Sequence, residues 1–149
     1  MQLKAELIGK FEDAGDCAKL LYVPPEGANT FRRTRRYEID IEGSEDAVRA
    51  FVNEVLGDDV SHEIHFGDEP AFEGAAFHLD YGMKPTALDH EKETILAYYS
   101  ELEDPGFQVT SLKITTRLYI FDKEQSGVSS VPFVRDIVNP AIHIWEVSS

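Results

Sequence analysis

Cysteine is almost missing from this sequence. Cys17 is the only one in 149 residues, so an intrachain disulfide and a CxxC zinc or redox motif are both excluded, and an oxidising compartment is not implied. Long apolar runs are missing as well. Nothing approaches the roughly 18 consecutive apolar residues of a membrane span, and the opening MQLKAELIGK lacks the apolar stretch of a secretory signal. The expectation is a cytoplasmic protein with no membrane partner. The common enzyme signatures are silent: there is no GxSxG elbow, GxxxxGK[ST] loop, GxGxxG turn or HExxH helix. Basic residues are scarce, 14 against 28 acidic ones for a net charge of −14. Such a chain repels phosphate backbones, so a nucleic-acid partner is not expected.

What is present is enough for one hydrophobic core without staples, and residues 1–149 are read as a single domain. The acidity is uneven. Residues 37–104 carry nineteen acids and three bases, whereas 1–36 carry five acids and seven bases. The acidic middle fits a protein partner with a basic surface.

Punctuation and periodicity give the elements. Ser44 as N-cap, Glu45 and Asp46 at the positive end of the dipole, and Gly57 as C-terminal turn frame a helix. Its stripe is Val48, Phe51, Val52 and Val55. A second helix is announced by the Thr86/Asp89 pair, carries Leu88, Ile95, Tyr99 and Leu102 at helical spacing, and stops at Pro105-Gly106. Period-two alternation marks four strands around Tyr37–Ile41, Val60–Phe66, Phe77–Tyr81 and Leu112–Ile120. The order strand, helix, strand, strand, helix, strand predicts an α+β fold with a ferredoxin-like βαββαβ core over 36–121, an antiparallel sheet with both helices on one face. Residues 1–35 and 122–149 become extensions, with further strands at Leu3–Ile8 and Ile142–Val147. Residues 14–21 read as a short helix, and Gln125–Val131 as a polar loop leading into the last strand.

Several side chains are candidates for chemistry. Arg32, Arg33, Arg35 and Arg36 form the one basic cluster and are anion-binding candidates. In an extended chain Arg33 and Arg35 point one way and Arg32 and Arg36 the other, so the four cannot grip one small anion together. Phe72, among acids in the loop GDEPAFEG, is a candidate anchor for a protein partner. Cys17 follows Asp13 and Asp16, whose charges disfavour a thiolate, so it reads as a buried small residue. With strand order four-one-three-two and Phe66 facing Phe77, His65 would oppose His78 and Glu63 would oppose Asp80. That would make a patch of imidazoles and carboxylates suited to a metal or to acid–base work. Pairing of Glu38 and Asp40 with Lys113 and Arg117 is the competing reading. No metal or cofactor is favoured, and self-association would run through the sheet or the terminal strands. The leading reading is a non-catalytic binding or regulatory module for a basic partner. The alternative is a small-molecule- or metal-binding protein, or an enzyme, using the polar face of the sheet.

Overall fold

The computed structural model describes residues 1–9, 14–23, 29–56, 62–123, 125 and 127–149. Seven antiparallel strands form one sheet: β1 (Gln2–Gly9), β2 (Ala14–Asp16), β3 (Asn29–Gly43), β4 (His62–Phe66), β5 (Phe77–Met83), β6 (Phe107–Asp122) and β7 (His143–Ser148). Among the described residues three α-helices accompany them: α1 (Glu45–Leu56), α2 (His90–Ser100) and α3 (Val131–Ile137). The sheet runs β4-β1-β3-β6-β5-β7, and β2 pairs with β3 beyond the reach of β1. The α+β class and the antiparallel sheet are as the sequence predicts. Among the described residues no helix is long and apolar enough to cross a membrane.

The strand order corrects the ferredoxin-like expectation. β6 does lie beside β3, but β1 takes the other side of β3, and β4 pairs with β1 instead of β5. β5 pairs with β6 and β7. The N-terminal strand is what displaces the expected neighbours. In the observed register Leu3 and Ala5 enter the core opposite Ile39 and Tyr37, while Glu6 falls opposite Arg36. A period-two pattern fixes which face a side chain takes, not which strand lies next door. The strand ending at Gly43 begins at Asn29, so the boundary drawn at residue 36 falls inside an element, and the supposed extensions supply β1 and β7.

β3 and β6 pair along almost their whole length, interrupted by one irregularity at Asp40/Ile41. Two apolar clusters share one face of this long ribbon. At one end Tyr37, Ile39, Ile41, Leu112 and Ile114 pack under Val48, Phe51 and Val52 of α1 and Ile95 of α2. At the other end Phe31, Leu79, Leu118 and Ile120 pack under Phe133 of α3 and Cys17. The expected helix at 14–21 is instead β2 followed by a single 3-10 turn, Cys17–Lys19. The Cys17 thiol is pushed up to about 12 by burial, reinforced by Asp16, so it is protonated and inert at neutral pH.

Local chemistry explains the helix ends. Ser44 Oγ accepts from the Ala47 N–H at the start of α1; the expected stop at Gly57 lies outside the described residues. At α2 the cap is Asp89, which accepts from the Lys92 N–H, so the helix starts later than the Thr86 pair predicts and Leu88 stays exposed. Residues 131–137, partly read as loop, form α3 because Pro132 sits at its first turn, where its missing N–H costs nothing.

Candidate functional site

The face of the sheet away from the helices is polar, as alternation predicts, and its centre is buried. Glu6, Thr34, Arg36 and Tyr119 are 1%, 2%, 5% and 0% exposed. The loop between β4 and β5 crosses over them. Phe72 packs edge-on against Tyr119 with ring centroids 5.3 Å apart, the Arg32 guanidinium lies 4.3 Å from the Phe72 ring centre, and the Ala71 N–H donates to the Tyr119 hydroxyl at 3.2 Å. Phe72 is thus half-buried on its own domain, and the loop acts as a strap.

Beneath the strap the charges are paired. Glu6 accepts from the Thr34 hydroxyl (2.7 Å), the Tyr119 hydroxyl (2.7 Å) and Arg36 Nη1 (2.8 Å). Asp80 takes two bonds from Arg117, Nε at 2.6 Å and Nη2 at 2.9 Å. Arg117 Nη1 stands 4.0 Å from Glu6 Oε1, which joins the two pairs into one network. Burial works against the Arg117 cation, but Asp80 more than offsets it and the guanidinium remains charged. Burial, with Glu6 adding to it, lifts the Tyr119 phenol to about 12, so it stays a donor. His78 leans on Tyr119 with its ring 5.7 Å away. Its Nδ1 is buried, lies 3.5 Å from Asp80 Oδ2, and has no hydrogen-bond partner among the described residues. Burial first, then the Arg117 charge, holds this imidazole below its ordinary value, so it is neutral at pH 7.

Beside this network the face opens into a cleft of about 520 Å³. Lys4 on β1 and Glu146 on β7 both line it, although four inter-strand steps, roughly 19 Å on a flat sheet, separate their strands. The sheet therefore curls around the cleft. Lys4, Arg36, Lys113 and Arg117 are set against Glu38, Asp68, Asp80 and Glu146 in its lining. Lys4 Nζ pairs with Asp68 Oδ1 at 2.8 Å. Glu38 lies opposite Lys113 and Asp80 opposite Arg117 across the strands, a checkerboard that cross-strand pairing favours. Of the proposed neutralising pairs, Arg117 thus takes Asp80, while Asp40 accepts from the Ser111 hydroxyl at 2.6 Å. No protein-family model matches this chain, and comparison with curated proteins and with solved structures finds no match.

The histidine–carboxylate patch does not assemble. Glu63, His65, His78 and Asp80 share a face, but β1, β3 and β6 stand between β4 and β5, and Phe66 pairs with Ala5 while Phe77 pairs with Ile120. Among the described residues no three His, Cys, Asp or Glu side chains converge to hold a metal. The arginines split as alternation requires. Arg36 and Arg32 serve the polar face, and Arg33 lies over the Phe31 ring on the other. Arg35 donates to Thr116 Oγ1 at 2.5 Å and to Glu91, whose other oxygen accepts from the Tyr37 hydroxyl, so α2 is tied to the sheet. The residues missed from the sequence are Lys4, Glu6, Asp68 and Glu146. The alternation of Leu3, Ala5 and Leu7 with Lys4 and Glu6 could have placed the first two; nothing local marks Asp68.

Proposed function

We propose that this protein is a non-catalytic binder of a small polar ligand held on the curled face beside the strap. The carrying observation is the Glu6–Arg36–Arg117–Asp80 network behind and in the cleft wall, with Glu6 and Arg36 buried and Arg117 and Asp80 partly so. Burying charges costs several kcal/mol of desolvation per fully buried ion, and apolar residues of similar volume would serve stability as well or better. A network kept at that cost supports a role in recognition. The lining carries as many cations as anions, so its complement is a ligand with both signs, a zwitterion, more than a polyanion. Binding is favoured over catalysis because the charged groups of the described lining are turned toward one another, Lys4 to Asp68 and Arg117 to Asp80, and not toward a common reacting position.

The test is isothermal calorimetry with free amino acids, dipeptides, polyols and phosphate esters. A zwitterion is expected to bind with a sub-millimolar Kd that weakens at least tenfold in Glu38→Gln/Glu146→Gln. Preference for a phosphate ester, or affinity untouched by that variant, would overturn the reading.

A second reading, engagement of a basic partner, rests on the helical layer. Glu45, Asp46, Glu54, Glu93, Glu101, Glu103 and Asp104 are all exposed there. The surface is continuous, since Phe51 of α1 packs on Tyr98 of α2 and the Ser44 N–H donates to Gly106 O. Neither α1 nor α2 has a basic residue in its last turn, where the dipole would favour one. Acids placed against the dipole support a surface kept for a cationic partner.

A further inference from the structure

A second cleft, of about 440 Å³, lies between the segment joining β5 to α2 and the edge of β6. It exists because β5 leaves β6 early. Their pairing ends at Tyr81↔Thr116, whereas β6 continues beside β3 to Phe107. Beyond Tyr81 the chain follows β7 instead, through Gly82↔Ile144 and Met83↔His143. Gly82 is the last close approach to β6, where a Cβ would stand 2.7 Å from Ile114 O, and the chain turns away after it. Pro85 then ends the strand, because it has no N–H to give a ladder. The β6 edge from Ser111 to Thr115 is left facing a gap.

The gap departs from the charge of the molecule. Lys84, Lys92 and Lys113 line it against Asp89 and Glu93, three cations to two anions, in a chain where acids outnumber bases twofold. None of the three lysines has an ion-pair partner within 4.0 Å among the described residues, although Lys113 also lies opposite Glu38 at the rim of the first cleft. The Asp89 carboxylate is turned to the Lys92 backbone N–H at 3.1 Å as the cap of α2. The remaining walls include Pro85, Leu88 and Ile144; Leu88 is 59% exposed and Ile144 is 41% exposed, apolar surface without a covering group.

We propose that this cleft binds an amphipathic small anion, a carboxylate, sulfonate or phosphate headgroup held by Lys84, Lys92 and Lys113 with its apolar body against Leu88 and Ile144. Its volume lies within the range of small-molecule sites. A net anion differs from the zwitterion expected in the balanced cleft, although Lys113, Thr115 and Ile144 stand between the two clefts and line both.

The test uses 8-anilinonaphthalene-1-sulfonate as the fluorescent probe on the intact chain. One equivalent is expected to bind with a micromolar Kd. Decanoate should displace it if the natural body is aliphatic and 2-naphthoate if it is aromatic; decanol and octylammonium should not. Lys84→Glu/Lys92→Glu should weaken probe binding at least tenfold. Leu88→Asp, at an exposed position, should do the same without altering the melting temperature. Displacement by octylammonium as effective as by the anions, or affinity unchanged in both variants, would overturn the proposal. Glu38→Gln/Glu146→Gln should leave the probe bound, which separates failure here from failure of the zwitterion reading.

Discussion

His78 shows how one buried side chain couples this fold to pH. The folded protein holds the imidazole below its ordinary value, about 6.5 in an unfolded chain, first by burial and then by Arg117. At a pH above about 6.5 both states are neutral and the group does not affect stability. As pH falls below that point the unfolded chain takes a proton that the folded one refuses, so unfolding becomes easier until the folded imidazole titrates too. Urea denaturation should therefore give an unfolding free energy that rises with pH across the window running downward from about pH 6.5. His78→Gln should flatten that part of the profile. An unchanged slope in the variant would mean that His78 is not held neutral. The residue was visible in the sequence as an outward position on its strand, but its neighbours were not. Arg117 and Asp80 reach it only through the β5–β6 register.

At the scale of elements, α1 is the case where local signals and packing agree. Ser44, Glu45 and Asp46 start the helix, and its stripe is the face that enters the core, with Val48, Phe51 and Val52 buried. Phe51 is the keystone, with the Tyr98, Tyr99 and Phe107 rings 5.9, 6.1 and 5.5 Å away. Phe51→Ala should leave a cavity between α1, α2 and β6 and cost about 3–5 kcal/mol in a denaturant titration. A loss under about 1 kcal/mol would show that the three elements do not share this contact. α2 was less legible because Asp89 and Thr86 are both credible caps. The choice of Asp89 is reinforced by contacts distant in sequence, the bonds of Glu91 to Arg35 and Tyr37.

For the molecule as a whole, a net charge of −14 opposes folding, and on the helical layer acids also oppose the α2 dipole. Glu101 and Glu103 stand at the negative end of that helix. Glu101→Lys/Glu103→Lys should raise stability by about 0.5–1 kcal/mol in low-salt buffer. The gain should shrink in about 0.5 M NaCl, where the Debye length is only a few ångströms. A gain that ignores salt, or a loss, would assign these acids a packing role and remove the main support for a basic partner.

The sequence by itself determined the α+β class, both long helices, the faces of the residues in the four strands read by alternation and the division of the four arginines, because caps and periods of two and 3.6 are local consequences of backbone geometry. It also pointed to a buried, unreactive Cys17. Only the tertiary structure decided who stands beside whom. β1 enters between β3 and β4, which separates His65 from His78 and brings Glu6 to Arg36. The strap carries Phe72 to Tyr119, and β5 leaves β6 at Gly82 to open the lysine-lined cleft. Strand adjacency is set by the packing of apolar faces and the pairing of buried charges over distances of tens of residues. No local pattern encodes it, so Arg36, Asp80, Lys113 and Arg117 were individually readable while their assembly was not, and Asp68, Lys84 and Lys92 carried no local mark at all.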